Sequence, residues 1–192
     1  MNYIFDIGNV LVDYNPVKQL TKLFSDNSLV KRLNDIIFKS SDWLMMDRGL
    51  RTRADAIDIF CAREPDIQDE IRITMNNINN IFDPISESTA LLPGLIRSGH
   101  DLYYLSNMQV EIRDYLLENH EYFKLFKGGV FSCDVHFIKP SPEIYHHLLL
   151  KYDLIPGESI FFDDMKANVE AAEKEGIKGV LFSTAEDVRP YL

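Results

Sequence analysis

Cysteine is scarce in this chain. Only Cys61 and Cys133 occur, far apart and at no metal-binding spacing, which reads as two reduced, buried thiols in a cytoplasmic setting. Long apolar runs are absent. None approaches the roughly 18 residues of a membrane helix, and no basic region precedes an apolar one at the N-terminus, so neither a membrane span nor a signal peptide is expected. Basic charge is also short: 20 Lys and Arg stand against 30 Asp and Glu, a formal charge of −10. Such a surface would not neutralise a nucleic-acid backbone, although one local pocket can still be positive or carry a metal, which leaves a small phosphorylated substrate open. There is no internal repeat and no low-complexity tract. What remains is ordinary for a globular protein, 46% hydrophobic and 26% charged over 192 residues, with room for one large domain or a core with a modest insert. None of this fixes an oligomeric state.

The chain is organised around its first dozen residues. Tyr3-Ile4-Phe5 is short, β-branched or aromatic, and predicts a buried strand. It delivers Asp6 to the strand's carboxyl end, where open α/β sheets place their ligands, and the chain then turns through Gly8-Asn9. From about 15 to 83 only helices are predicted. One starts at Asn15-Pro16, with Asn as N-cap and Pro at the first helical position, and a second spans 28–38. A short piece from Ser41 carries Trp43, Leu44 and Met46 and ends at Gly49. Another follows a Thr52/Asp55 pair resembling a capping box, and the last runs from Asp66 to a stop near Asn79-Asn80.

Beyond this stretch a helix over 84–98, kinked or split at Pro93-Gly94, is followed by strands at 101–105, 129–131, 159–162 and 180–182 alternating with helices. That alternation predicts an α/β fold, a Rossmann-like parallel sheet with helices on both faces. The domain division expected is an α/β core of residues 1–14 and 84–192 with an all-helical cap of residues 15–83 inserted after the first strand.

Four polar clusters close apolar runs: Asp6, Ser106-Asn107, Lys139 and Asp163-Asp164. Singly, each has an ordinary reading as a turn cap, a turn, a solvated lysine, or an N-cap pair favoured by a helix dipole. In a parallel sheet, however, the carboxyl ends share one edge, so all four can converge. One carboxylate can attack, a hydroxyl and an amide can hold oxygens, one ammonium can neutralise anionic charge, and two acids can hold a hard cation such as Mg²⁺.

In this order and spacing the clusters resemble the four motifs of the haloacid dehalogenase (HAD) superfamily, in the branch with a helical cap. Phe5-Asp6-Ile7-Gly8-Asn9-Val10-Leu11-Val12-Asp13 is similar to the first motif and Tyr104-Leu105-Ser106-Asn107 to the second. Lys139-Pro140-Ser141-Pro142-Glu143-Ile144-Tyr145 is similar to the third, and Phe161-Phe162-Asp163-Asp164-Met165-Lys166-Ala167-Asn168 to the fourth. The Gly-Asn-Val turn after the first Asp resembles that of bacterial sugar-phosphate phosphatases such as glucose-1-phosphate phosphatases. The resemblance implies Asp6 as a nucleophile forming an aspartyl-phosphate. It implies Ser106 and Asn107 as ligands of the phosphoryl oxygens, and Lys139 as the neutraliser of charge on nucleophile and phosphate. Mg²⁺ would be held by Asp6, the Gly8 carbonyl and Asp164, with Asp163 direct or through water, and Asn168 would support that shell. The expected activity is Mg²⁺-dependent hydrolysis of a small phosphorylated metabolite, a sugar phosphate in particular.

One position departs from the pattern. Most phosphatases of the superfamily carry a second Asp two residues after the nucleophile, to protonate the leaving oxygen and then activate water, and here that position is Gly8. General acid–base catalysis typically contributes ~10²–10⁴-fold. Two expectations follow: substrates with acidic leaving alcohols, such as an anomeric hydroxyl, are favoured, and Asp13 or a cap residue supplies the missing acid. In the cap, Trp43, Asp47 and Arg48 face a sugar or else serve as core and surface. Two other activities fit Gly8. A metal-independent 2-haloacid dehalogenase also uses an Asp nucleophile, but leaves Asp163-Asp164 idle. A non-catalytic phosphometabolite-binding protein would not need Asp6 and Lys139 together.

Overall fold

Tyr3, Ile4 and Phe5 are all buried, yet they serve two cores. Tyr3 and Phe5 point into one apolar cluster and Ile4 into another, because successive side chains of a strand leave opposite faces. The neighbouring strands repeat the division: Leu102, Ile160 and Phe162 join Tyr3 and Phe5, while Tyr103, Leu105 and Phe161 join Ile4. A sheet buried on both faces is what continuous apolar runs in parallel strands specify.

The computed structural model of the protein describes residues 1–192, Asn80 excepted. In chain order, β1 (Asn2–Phe5) and β2 (Val12–Tyr14) precede helices α1 (Pro16–Leu23), α2 (Asn27–Leu33), α3 (Ser41–Asp47), α4 (Arg53–Arg63) and α5 (Gln68–Asn76). Next come β3 (Phe82–Pro84), α6 (Ser86–Thr89), α7 (Leu92–Arg97), β4 (Asp101–Ser106), α8 (Val110–Asn119), β5 (Gly128–Phe131) and α9 (Ser132–Val135). The last elements are α10 (Pro142–Tyr152), β6 (Ser159–Asp163), α11 (Lys166–Lys174) and β7 (Lys178–Leu181). The strands form a five-stranded sheet in the order β5-β4-β1-β6-β7, each pair parallel. The chain leaves β1 for β4 on one side and reaches β6 on the other, so the strand order reverses at β1, where a crevice opens beyond the carboxyl ends. The fold is the α/β Rossmann-like one expected.

Local chemistry explains most of the helix ends. Asn15 caps α1 by accepting from Lys18 N at 3.0 Å, with Pro16 at its first position. Thr52 and Asp55 form a reciprocal capping box at the start of α4. Several elements depart from the expectations. The 28–38 helix begins at Asn27, capped by Asp26, and its last turn, Asn34–Phe38, widens into a π-helix. Asp66 does not open α5, because its carboxylate accepts from Arg32. The stop expected near Asn79-Asn80 falls partly on Asn80, outside the described residues; α5 ends at Asn76. The 84–98 helix is split before Pro93, which sits in the first turn of α7.

The correction that matters for the site is a two-stranded antiparallel ribbon. Val12, Asp13 and Tyr14 of β2 pair with Pro84, Asp83 and Phe82 of β3, so Phe82 and Asp83 are strand residues rather than part of a purely helical stretch. The ribbon brackets the five helices, so the segment leaves and re-enters the sheet region at one place. Its apolar residues Leu20, Leu33, Ile37, Trp43 and Met46 belong to the same cluster as Tyr3 and Phe5.

Candidate active site

The four clusters meet at the carboxyl edge of the sheet. Asp6 is the first residue past β1, and its backbone N–H still donates to the Phe162 carbonyl at 2.9 Å. The sheet ladder therefore fixes its position. Its Oδ1 accepts from Ile7 N at 2.7 Å and lies 2.8 Å from Lys139 Nζ. The same ammonium donates to Asp163 Oδ2 at 2.6 Å. Lys139 comes from the loop after α9, and Asn107 pins it there: Asn107 Oδ1 accepts from Lys139 N at 2.8 Å and Asn107 Nδ2 donates to the Lys139 carbonyl at 3.1 Å. Asn107 thus has a second task beside the one expected of it, and a phosphoryl contact from it falls to its backbone N–H or its remaining amide hydrogen.

Asp163 ends β6 and is wholly buried. Beyond Lys139, its oxygens accept from Met165 N at 2.8 Å and from Asn168 Nδ2 at 3.0 Å. Asp164 is half-buried and accepts from Asn9 Nδ2 at 3.0 Å. Asn9 sits in the left-handed region at φ 55 and its Oδ1 accepts from Tyr14 N at 3.0 Å, so one side chain ties the first turn to both β2 and the acid pair. Ser106, the last residue of β4, is buried and borders the same cavity. Asp6, Gly8, Ser106, Asn107, Lys139 and Asp164 all line it.

Carboxylate atoms of Asp6, Asp163 and Asp164 lie within 4.8 Å of one another. If all three are ionised, they leave the site two charges negative against the one ammonium of Lys139. Burial, and then Asp163, push the Asp6 carboxyl up to about 7, while Lys139 and the Ile7 N–H oppose the rise. Asp164 is also raised, chiefly by burial. Burial lowers the pKa of Lys139, but Asp6 and Asp163 outweigh it and the net shift is upward. The lysine stays charged while Asp6 and Asp164 resist ionising, an arrangement suited to a cation. Hard carboxylate oxygens in a tight trio fit Mg²⁺, so the residues present pass that test.

The cavity has a volume of about 270 Å³, at the small end for a ligand pocket. Its other walls include Tyr14 of β2, Trp43 and Asp47 of α3, Phe82 of β3, Met108, and Ile112 of α8. Trp43 and Asp47 are both buried, whereas Arg48 is exposed and not among the lining residues. Asp13 accepts from Lys18 Nζ and does not line the cavity. Sequence reasoning missed Tyr14, Phe82, Met108 and Ile112 as walls. Two of these arrive through the unforeseen β2–β3 ribbon. Met108 follows directly on Ser106-Asn107, a position that was a usable signal.

The fold and this edge define a hydrolase. A haloacid dehalogenase-like hydrolase family model matches residues 3–182, and the chain belongs to that family. A sesquiterpene phosphatase of Aspergillus oryzae is 30% identical over 177 residues, which is 92% of this chain and 87% of that protein. Among solved structures, a HAD family enzyme of Bacteroides thetaiotaomicron aligns with a TM-score of 0.78 at 22% identity, covering 100% of this chain and 98% of that one. The same enzyme in complex with magnesium and inorganic phosphate aligns at 0.75 with 20% identity, over 95% and 94% of the two chains. Among the described residues, no helix is long and apolar enough to cross a membrane.

Proposed function

We propose that this hydrolase is a Mg²⁺-dependent phosphatase that moves the phosphoryl group of a small monoester onto Asp6 and then onto water. The observation carrying the reading is the single ammonium of Lys139 bridging Asp6 and Asp163 beside a third carboxylate, Asp164. A phosphate dianion and a carboxylate nucleophile repel each other, and positive charge must sit between them for attack. Asp6 and Asp164, the Gly8 carbonyl, and Asp163 directly or through water would hold the Mg²⁺, with Asn168 steadying Asp163. When bound, the ion supplies the charge neutralisation that one lysine alone does not. Lys139 favours the ionised form of Asp6 and orients it, Ser106 and Asn107 offer donors to the phosphoryl oxygens, and Asn107 keeps Lys139 in place. Residues 15–83 act as the cap, contributing Trp43 and Asp47 to the cavity wall.

For the alcohol half of the substrate, an aromatic and a carboxylate in that wall suit a sugar. A second reading is favoured by the remaining lining: Tyr14, Phe82, Met108 and Ile112 offer apolar area to an apolar alcohol, and the relative named as a sesquiterpene phosphatase points the same way. A metal-independent dehalogenase would leave Asp163 and Asp164, two of the three close carboxylates, without a task.

The test is a panel with glucose 1-phosphate, glucose 6-phosphate, an isoprenyl monophosphate and a 2-haloacid, each run with Mg²⁺, with EDTA and with Asp6→Asn. The reading expects phosphate release that EDTA and the variant both abolish. Halide release indifferent to EDTA, or no turnover of any phosphate ester, would overturn it.

A further inference from the structure

We infer that Asp47 is the general acid and base of this active site, giving a proton to the leaving oxygen in the first step and taking one from water in the second. The inference rests on the phosphatase reading above and deepens it. It begins from a vacancy that sterics do not impose. A Cβ built at Gly8 meets only Tyr14 Cβ, at 3.8 Å, an ordinary contact, so a β-carbon at position 8 has room. The chain carries none there, and the proton has to come from elsewhere.

The carboxylates lining the cavity are Asp6, Asp47 and Asp164. Asp6 is bridged to Lys139, and Asp164 belongs to the acid trio and accepts from Asn9. Asp47 stands outside both arrangements and enters from α3 rather than from the sheet edge, among Tyr14, Trp43, Phe82, Met108 and Ile112.

Its position is fixed from the core side. Ser132 Oγ donates to the Asp47 carbonyl and itself accepts from Met108 N at 2.9 Å, one residue past Asn107. His136 Nδ1 lies 2.7 Å from the Arg48 carbonyl. Gly49, at φ +64, rests so close to α9 that a Cβ would stand 2.4 Å from the Cys133 carbonyl oxygen. These contacts clamp the end of α3 beside the second motif, as a proton donor requires. The ionisable groups around Asp47 are Tyr14 from β2, Asp6, Lys139 and Asp164 at the sheet edge, and Cys133, Asp134 and His136 on the α9 side. Burial raises the Asp47 carboxyl to about 7, against a hydrogen bond from Trp43 that lowers it. A group that titrates near neutrality can both give and take a proton.

In the first step an Asp6 oxygen bonds to phosphorus. The bond from phosphorus to the alcohol oxygen breaks with its electron pair on that oxygen, which takes the Asp47 proton and leaves as the alcohol. In the second, a water oxygen bonds to phosphorus and gives a proton to the Asp47 carboxylate. The bond between phosphorus and Asp6 breaks with its pair returning to Asp6, releasing inorganic phosphate. With Asp47 donating, an unactivated alcohol is a competent leaving group, and the restriction to acidic leaving alcohols expected from Gly8 is lifted.

The experiment compares wild type and Asp47→Asn, with Mg²⁺, on an alkyl phosphate and on p-nitrophenyl phosphate, whose phenolate leaves without protonation. The first-turnover rate on the alkyl ester is expected to fall ~10²–10⁴-fold. On the aryl ester the first release of nitrophenol is retained as a burst, followed by slow turnover because water is no longer deprotonated. Adding Gly8→Asp to Asp47→Asn is expected to restore alkyl hydrolysis. Equal losses of first-turnover rate on both esters in a variant that melts no lower than wild type, or no loss on either, overturn the role of Asp47 alone. A wild type that hydrolyses neither ester overturns the phosphatase reading and the role of Asp47 with it.

Discussion

Asp47→Asn should make the protein more stable at neutral pH, by an amount that depends on pH in a defined way. Asp47 is 8% exposed and its folded carboxyl titrates near 7 because burial disfavours its charge. In the unfolded chain an Asp titrates near ~3.9. Below that value both states hold the proton and the group contributes nothing. Between the two values the unfolded chain has released its proton while the folded one retains it. The folded state then binds more protons, and stability falls as pH rises, by about 1.4 kcal/mol per unit. Above about 7 the penalty levels off at roughly 4 kcal/mol as an upper bound, and relaxation around the charge brings it to between about 1 and 4 kcal/mol. Asparagine keeps the shape and can still accept from Trp43, but it carries no charge to desolvate. Urea unfolding of both proteins from pH 4 to pH 8 checks this, since the other titrating groups are common to both and cancel in the difference. The variant should match wild type at pH 4 and exceed it at pH 8. Equal stability at every pH, or a variant weaker at pH 8, would refute the argument that Asp47 is held against its own ionisation.

Lys139→Met removes the one cation shared by two buried carboxylates, so urea unfolding at pH 7 should register a loss of ~3–5 kcal/mol and phosphate release should cease. Gly49→Ala drives a methyl into the Cys133 carbonyl at a positive φ. It should cost ~1–3 kcal/mol in a thermal or urea melt and depress turnover, since the end of α3 that carries Asp47 must move.

Much of this was legible in the residues, for physical reasons. β1, β4 and β6 are buried on both faces, so their apolar runs announce themselves, and the polar residues that end them fall at one edge by the geometry of a parallel sheet. The caps at Asn15-Pro16 and Thr52/Asp55 follow from bonds between near neighbours. What stayed hidden depends on distant parts of the chain. The β2–β3 pairing joins residues some seventy positions apart through runs of three residues, too short for a periodic signal, and it brings Tyr14 and Phe82 to the cavity. The hold of Asn107 on Lys139, and of Ser132 on Asp47, are contacts between loops and helix ends that no spacing encodes. Asp47 itself stood out only as part of a charged pair with Arg48; burial separates the two, turning Asp47 into the cavity and Arg48 to solvent.

The central claim is that Asp6 accepts the phosphoryl group. Acid-quenching the enzyme during turnover of a phosphate ester with Mg²⁺, then reading the intact mass and the N-terminal peptide, tests it most directly. The account predicts an enzyme carrying one phosphoryl group on Asp6, absent with EDTA and absent in Asp6→Asn. Turnover that proceeds with no such adduct, or with the adduct on another residue, would contradict it.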